Sequence, residues 1–116
     1  MATRTYSTGP IENFNAQSEF IFVKILNNSD SAITARVRVY RLNGTRTRIF
    51  QQSLAVTEKS SSAVVVPVAT SPEFEVQIRI RNGSDSVDKV LASVFGGTGN
   101  TLNPSHRVLH KELKRI

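Results

Sequence analysis

The strongest constraint on the fold is the strict alternation of apolar and polar residues in the segment 74–82. Its sequence is FEVQIRIRN, in which Phe74, Val76, Ile78 and Ile80 alternate with Glu75, Gln77, Arg79 and Arg81. Successive side chains of a β-strand point to opposite faces of a sheet, so this pattern places the four apolar residues on one face. The segment is therefore predicted to be a strand with one buried side and one solvent-facing side.

Similar patterns recur along the chain, separated by turn residues. We predict strands over residues 19–26, 32–42, 47–56, 62–68, 74–82 and 89–96, and a last strand from about residue 105. Residues 105–116 also fit a short helix, but the β character of the rest favours a strand through Leu109 or beyond. Short strands at this spacing are typical of an antiparallel β-sandwich of about seven to eight strands, jelly-roll or immunoglobulin-like, here with an extended N-terminal arm.

Local signals refine this all-β prediction. Asn43-Gly44 favours a primed hairpin turn, and Pro67 assigns its strand to a sheet edge or a bulge. Residues 89–96 are apolar on both faces, which is typical of a central strand covered on both sides. Residues 82–88 and the glycine-rich segment 96–100 are predicted to be loops.

The chain divides into two predicted parts at a change in composition between residues 16 and 19. Residues 1–16 are predicted to be a connector arm and residues 17–116 the sandwich domain. The arm and its anchors are assigned to Thr3, Thr5, Tyr6, Ile11 and Phe14, and the hinge to Gly9 and Pro10. Such an arm could add a strand either to its own sandwich or to the open edge of a neighbour, one such edge lying beside Pro67. We expect the second arrangement, because the predicted strands already complete a sandwich.

The excess of positive charge suggests an alternative function. Fifteen Lys and Arg residues against nine Asp and Glu residues give a net charge of +6. Arg36, Arg38, Arg79 and Arg81 lie on the polar sides of two predicted strands and could bind an anionic partner, nucleic acid or an acidic polysaccharide. The same arginines could instead line a solvated sheet face and pair with Glu73 and Glu75. We consider nucleic acid an improbable partner, because only Tyr40 is available for stacking among them.

No catalytic, cofactor or metal site is predicted. The chain has no cysteine, and Ser60, Ser61 and Ser62 have no neighbouring histidine or aspartate. His106 and His110 would lie about 13 Å apart on a strand, too far for one metal ion, and are predicted to be surface residues. We therefore expect a protein that is not an enzyme.

Four segments resemble small β-rich proteins from the spore surface of Gram-positive bacteria. They are VKILNNSDSAITARVRVYRLNGT (23–45), FEVQIRIRN (74–82), VLASVFG (90–96) and NPSHRVLHKEL (103–113). That group is similar to the subunits of endospore appendages, which are pilus-like fibres. The resemblance implies a jelly-roll-like sandwich and an N-terminal connector that joins subunits, at the place of residues 1–16. The better-known appendage subunits fix their connectors through cysteines. A fibre of this chain, which has no cysteine, would have to be held together by strand pairing and apolar contact.

The leading hypothesis is therefore a structural subunit that self-assembles head-to-tail into a non-covalent fibre for adhesion or spacing. Its partners would be copies of itself, with an anchoring protein of the spore surface as a further candidate. The opening residues have no apolar segment typical of a secretion signal, and no apolar run is long enough for a membrane helix. We expect synthesis in the mother-cell cytoplasm and a final location on the spore surface or in an extracellular fibre.

Overall fold

A computed structural model describes residues 2–83 and 87–116. Met1 and residues 84–86 lie outside the described residues, and with them the first residue of the predicted arm and the middle of the loop predicted over residues 82–88. The strands are β1 (Ala2–Ser7), β2 (Ile11–Glu12), β3 (Phe20–Asn27), β4 (Ile33–Leu42), β5 (Arg46–Val56), β6 (Ser60–Pro67), β7 (Glu73–Asn82), β8 (Val90–Thr98), β9 (Thr101–Val108) and β10 (Lys114–Arg115). Short 3-10 turns cover Phe14–Ala16 and His110–Glu112.

The strands form two antiparallel sheets that pack face to face. The first sheet has the order β10-β1-β7-β4-β5, with β2 also pairing with β7. The second sheet has the order β6-β3-β8-β9. This architecture confirms the predicted all-β antiparallel sandwich.

The core lies between the sheets and follows the predicted alternation. Phe74, Val76, Ile78 and Ile80 of β7 are completely buried. Their cross-strand neighbours on β4, such as Val37 opposite Ile78, are buried as well. Apart from Tyr40, the outer side chains of the same strands remain wholly or partly accessible, so one face of each strand belongs to the core.

Several local predictions need correction. The hairpin at Asn43-Gly44 is present, but its loop has three residues, since Leu42 pairs with Arg46 and only Gly44 of the loop has a positive φ, 76°. The segment 96–100 is not a loop: Gly96 and Gly97 belong to β8, and the chain turns tightly at Gly99 and Asn100 before β9.

Two further strands differ in part from expectation. β8 is central in its sheet, as predicted, but its outer face is open, because Leu91 is 39% exposed. The strand predicted from about residue 105 corresponds to β9, which ends at Val108. A 3-10 turn then leads to the short β10 in the other sheet. The edge position of Pro67 is confirmed, because β6 is the outermost strand of the second sheet.

The N-terminal residues are part of the sandwich. β1 and β2 both pair with β7, so within this chain Ala2–Ser7 and Ile11–Glu12 are strands of the first sheet rather than a free connector. They lie in the other sheet from Pro67, not beside it. The alternative in which the arm folds onto its own sandwich therefore describes the isolated chain.

Candidate functional site

β1 lies inside the first sheet, between β7 and β10. Its six residues pair with β7 from Ala2 opposite Asn82 to Ser7 opposite Gln77. On its other side, Tyr6 and Ser7 pair with β10, and Ile116 donates a backbone hydrogen bond to the Thr5 carbonyl at 2.9 Å. The strand is therefore held along its length by backbone pairing, to which its buried side chains add specificity.

The side chains of β1 divide between the two faces of the sheet. Tyr6 points inward and is 7% exposed, with its ring in an edge contact with the ring of His110 at 5.0 Å between centroids. Arg4, on the same side, forms an ion pair with Asp88 at 2.9 Å. Thr3 and Thr5 alternate with them and lie opposite Arg81 and Arg79 on the outer face.

The predicted hinge lies in the short segment between β1 and β2. Gly9 has a φ of 69°, a conformation that glycine adopts without strain, and Pro10 is exposed. The segment is not free of contacts, because the Thr8 N–H donates to the Val76 carbonyl at 3.0 Å. Gly9 and Pro10 thus form a short irregular link between β1 and β2, which both pair with β7.

The predicted anchors behave differently from each other. Ile11 is partly buried against the core, whereas Phe14 is 63% exposed and does not anchor the chain to its own domain. The anchor that sequence reasoning missed is Asn13, which is completely buried. Its Nδ2 donates to the carbonyls of Ser18, Val68 and Ser71 at 3.0–3.1 Å, and its Oδ1 accepts from the Ser18 N–H at 2.8 Å.

The C-terminal segment closes over β1. Leu113 is buried in the core, and the Nδ1 atom of His110 accepts a hydrogen bond from the Ala92 N–H at 3.1 Å. Burial, and to a smaller extent the positive charge of Arg4, lower the pKa of His110 below its ordinary value of 6.5. His110 is therefore held in its neutral form between β1 and β8.

The four arginines predicted to face an anionic partner are brought together on the outer face of the first sheet. Arg36 and Arg38 of β4 lie opposite Arg79 and Gln77 of β7, and Arg81 lies opposite Thr34. Arg36, Arg79 and Arg81 line a shallow concavity of about 160 Å³ together with Thr34 and Ser53. We call this set, with Arg38, the arginine face.

Three of the four arginines have no carboxylate partner among the described residues. Within the described residues, Arg36, Arg38 and Arg79 form no ion pair. Arg38 instead donates from Nε to the neutral Gln51 Oε1 at 2.7 Å. Glu75, which was expected to pair with these arginines, instead forms an ion pair with Arg46, with 3.8 Å between Arg46 Nη1 and Glu75 Oε1.

Arg36 has the least favourable environment of the residues on this face. Its Nε is buried and has no hydrogen-bond partner in the part of the chain that the structure describes. Burial and the neighbouring charges of Arg38 and Arg79 lower the pKa of Arg36. Like charges directly opposite each other in a sheet are destabilising, so the pair with Arg79 costs stability in the isolated chain.

Tyr40 is not available as a stacking platform. It is 8% exposed, and the Arg46 guanidinium lies over its ring at 4.4 Å from the centroid. A base therefore cannot stack on the one aromatic residue that sequence analysis placed among the arginines.

His106, predicted to be a surface residue, is buried. Its Nδ1 lies 2.5 Å from the Ser18 hydroxyl, and its Nε2 lies 2.8 Å from the Glu12 carbonyl oxygen. If Nε2–H donates to Glu12, Nδ1 is free to accept from Ser18, the arrangement that activates serine nucleophiles. Ser18 is completely buried, however, and packs so closely against Gly96 that no substrate can reach it. The pair therefore has a structural task, joining β9 to the segment before β3.

Comparisons with known proteins assign no family, because no family model, no curated protein and no solved structure matches this chain. The resemblance to spore-surface proteins therefore stays a hypothesis. Among residues 2–83 and 87–116, no helix is long and apolar enough to cross a membrane.

Proposed function

We propose that this protein is a structural subunit that assembles head-to-tail with copies of itself by exchanging β1. The observation that carries the proposal is the way β1 is held: by backbone pairing along β7, with Tyr6 as its one buried large side chain. The link at Gly9 and Pro10 joins it to the rest of the sandwich. The resemblance of residues 20–113 suggests a fibre on the spore surface.

Exchange of β1 between chains requires no contacts other than those already formed within one chain. The edge of β7 that accepts β1 within one chain would accept the same residues of a neighbour with the same register and the same hydrogen bonds. Tyr6 would then fill its place in the neighbour's core, worth about 2 kcal/mol for a large apolar side chain. The balance between the two states is set by strain at the link and by protein concentration.

A fibre follows from the geometry of donation. The donated strand and the accepting edge are different surfaces, so donation from each chain to the next is heterologous. Such a contact either propagates or closes into a ring. Phe14, exposed next to the donated segment, offers apolar surface for a contact between successive subunits.

The test uses the complete lack of cysteine in the chain. Thr5 and Arg79 are cross-strand partners between β1 and β7, so T5C/R79C is expected to form a disulfide wherever β1 is bound. After oxidation at high protein concentration, exchange gives a ladder of linked chains on a non-reducing denaturing gel. Fibres in electron micrographs of the same sample would show that the ladder reflects head-to-tail assembly.

The matched control is T34C/A55C, which joins partners within the β4–β5 hairpin. A hairpin joined by three residues is expected to link within one chain at every concentration. If T5C/R79C also gives only monomers at every concentration, β1 is a permanent strand of its own sandwich and the proposal is wrong.

A further inference from the structure

Two rows on the outer face of the first sheet combine arginine with neutral polar side chains. Across one row, Thr5, Arg79, Arg36 and Ser53 lie side by side on four adjacent strands. The neighbouring row contains Ser7, Gln77, Arg38 and Gln51. Positive charges are thus flanked by hydroxyl and amide groups that both donate and accept hydrogen bonds.

Arg36 and Arg79 form an unfavourable pair of like charges across the two neighbouring strands. Arg36 and Arg79 face each other without a carboxylate in the described residues, and the Arg36 Nε is buried without a partner. A solvated face needs no such arrangement, since surface arginines can turn their guanidinium groups to water. An oxyanion between the two guanidinium groups would remove the repulsion and form charge-assisted hydrogen bonds.

We propose that the arginine face binds an acidic polysaccharide, with a carboxylate or sulfate group between Arg36 and Arg79. The hydroxyl groups of the sugar ring would hydrogen-bond to the adjacent Thr34 and Ser53, which line the same concavity. Nucleic acid is the less suitable polymer, because Tyr40 is covered by Arg46 and no other aromatic side chain lies in the rows described above.

This inference does not depend on strand exchange. Arg36 belongs to β4 and Arg79 to β7, and both strands stay in the same chain whichever copy supplies β1. Failure of one proposal therefore leaves the other unaffected.

The experiment measures the anisotropy of fluorescently labelled polygalacturonate, which carries carboxylates, and of labelled heparin, which carries sulfates as well. We expect binding to the full chain that weakens as salt rises, because condensed counterions are released. R36Q/R79Q is expected to weaken binding about tenfold or more, through the loss of two charge-assisted contacts. R36K/R79K keeps the charge but loses the planar fork and is expected to bind with intermediate affinity.

The matched control is K24Q/R107Q, which removes the same charge from the outer face of the second sheet. Both control residues are exposed and lie on β3 and β9. This variant is expected to change the affinity less than about twofold, because distant surface charges are screened. Thermal unfolding of each variant shows that the sandwich is intact.

Three results would overturn the proposal. The first is equal weakening by R36Q/R79Q and K24Q/R107Q, which would show attraction by net charge alone. The second is no binding of either polysaccharide at low salt. The third is equal or tighter binding of a single-stranded DNA of the same charge with the same dependence on Arg36 and Arg79, which would make the partner a nucleic acid. Preference for one polysaccharide identifies the anionic group and supports the proposal.

Discussion

At the residue scale, the N-terminal segment is fixed by a polar side chain that the sequence pattern did not single out. Ile11 and Phe14 were the predicted anchors because burial of apolar surface is the usual way to hold a segment. The structure uses Asn13, whose amide hydrogen-bonds to backbone groups of three separate residues. Ser18 is five residues away, but Val68 and Ser71 are 55 and 58 residues away, so no local pattern reveals that these groups converge on one asparagine.

The histidines were also misjudged from the sequence, and one of them gives a prediction. The pKa of His110 is lowered in the folded protein, so the unfolded chain binds more protons as the pH falls through the ordinary value of 6.5. The stabilising effect of neutral His110 is complete above that value and is lost as the pH falls from it toward the folded pKa. We expect the free energy of unfolding, measured with urea, to decrease between about pH 7.5 and pH 5.

H110Q separates this effect from the other titrating groups. Glutamine retains an oxygen that can accept from the Ala92 N–H but does not take up a proton in this range. The variant is expected to lose less stability than the unaltered chain over the same pH interval. Identical pH profiles for the two proteins would show that folding does not lower the pKa of His110.

At the element scale, alternation predicted the strands well because it depends only on which side of a sheet is buried. β7 is the best example, since the four apolar residues assigned to its buried face are all completely buried. The prediction of a loop at the glycine-rich segment was wrong, because glycine is found both in loops and where two backbone segments approach closely. At Gly96 the second reading applies: a Cβ there would collide with Ser18 and His106, which no local pattern shows.

The opposed arginines of β4 and β7 give a prediction at the same scale. R36E would place a carboxylate opposite Arg79, converting a repulsive cross-strand pair into an attractive one. We expect the free energy of unfolding to rise by about 0.5 kcal/mol. R36E/R79E restores a like-charge pair and is expected to lose that gain, so the sign of the change follows the charges and not the size of the side chain.

Urea unfolding of the unaltered chain, R36E, R79E and R36E/R79E, at low and high salt, measures the coupling. The gain in R36E should shrink as salt rises, because the pair lies at the surface. A stability that falls in R36E, or that stays constant across the cycle, would mean that Arg36 and Arg79 do not repel each other in the folded protein. The repulsion between Arg36 and Arg79, which is the reason for proposing an anionic ligand, would then be absent.

At the scale of the whole molecule, the sequence could identify β1 as a strand but not the chain to which it binds. Thr3, Thr5 and Tyr6 favour extended structure equally in either arrangement, because both would form the same hydrogen bonds to β7. Complementation can therefore be tested without any fibre. A chain beginning at Thr8 would lack β1, and the edge of β7 would be open to a peptide of residues 1–10.

We expect the shortened chain to be less stable than the full one and the peptide to restore the loss. With the peptide in excess, the melting temperature should rise by about 3 °C or more, because the ligand binds only the folded state. A peptide with Tyr6→Ala has the same backbone but leaves the buried ring position empty, and its effect should be much smaller. If the shortened chain is unfolded alone, the unaltered peptide should induce the circular dichroism of a β-sandwich. An open edge that accepts neither peptide could not accept a neighbour's strand, and assembly by exchange of β1 would then be ruled out on the same grounds.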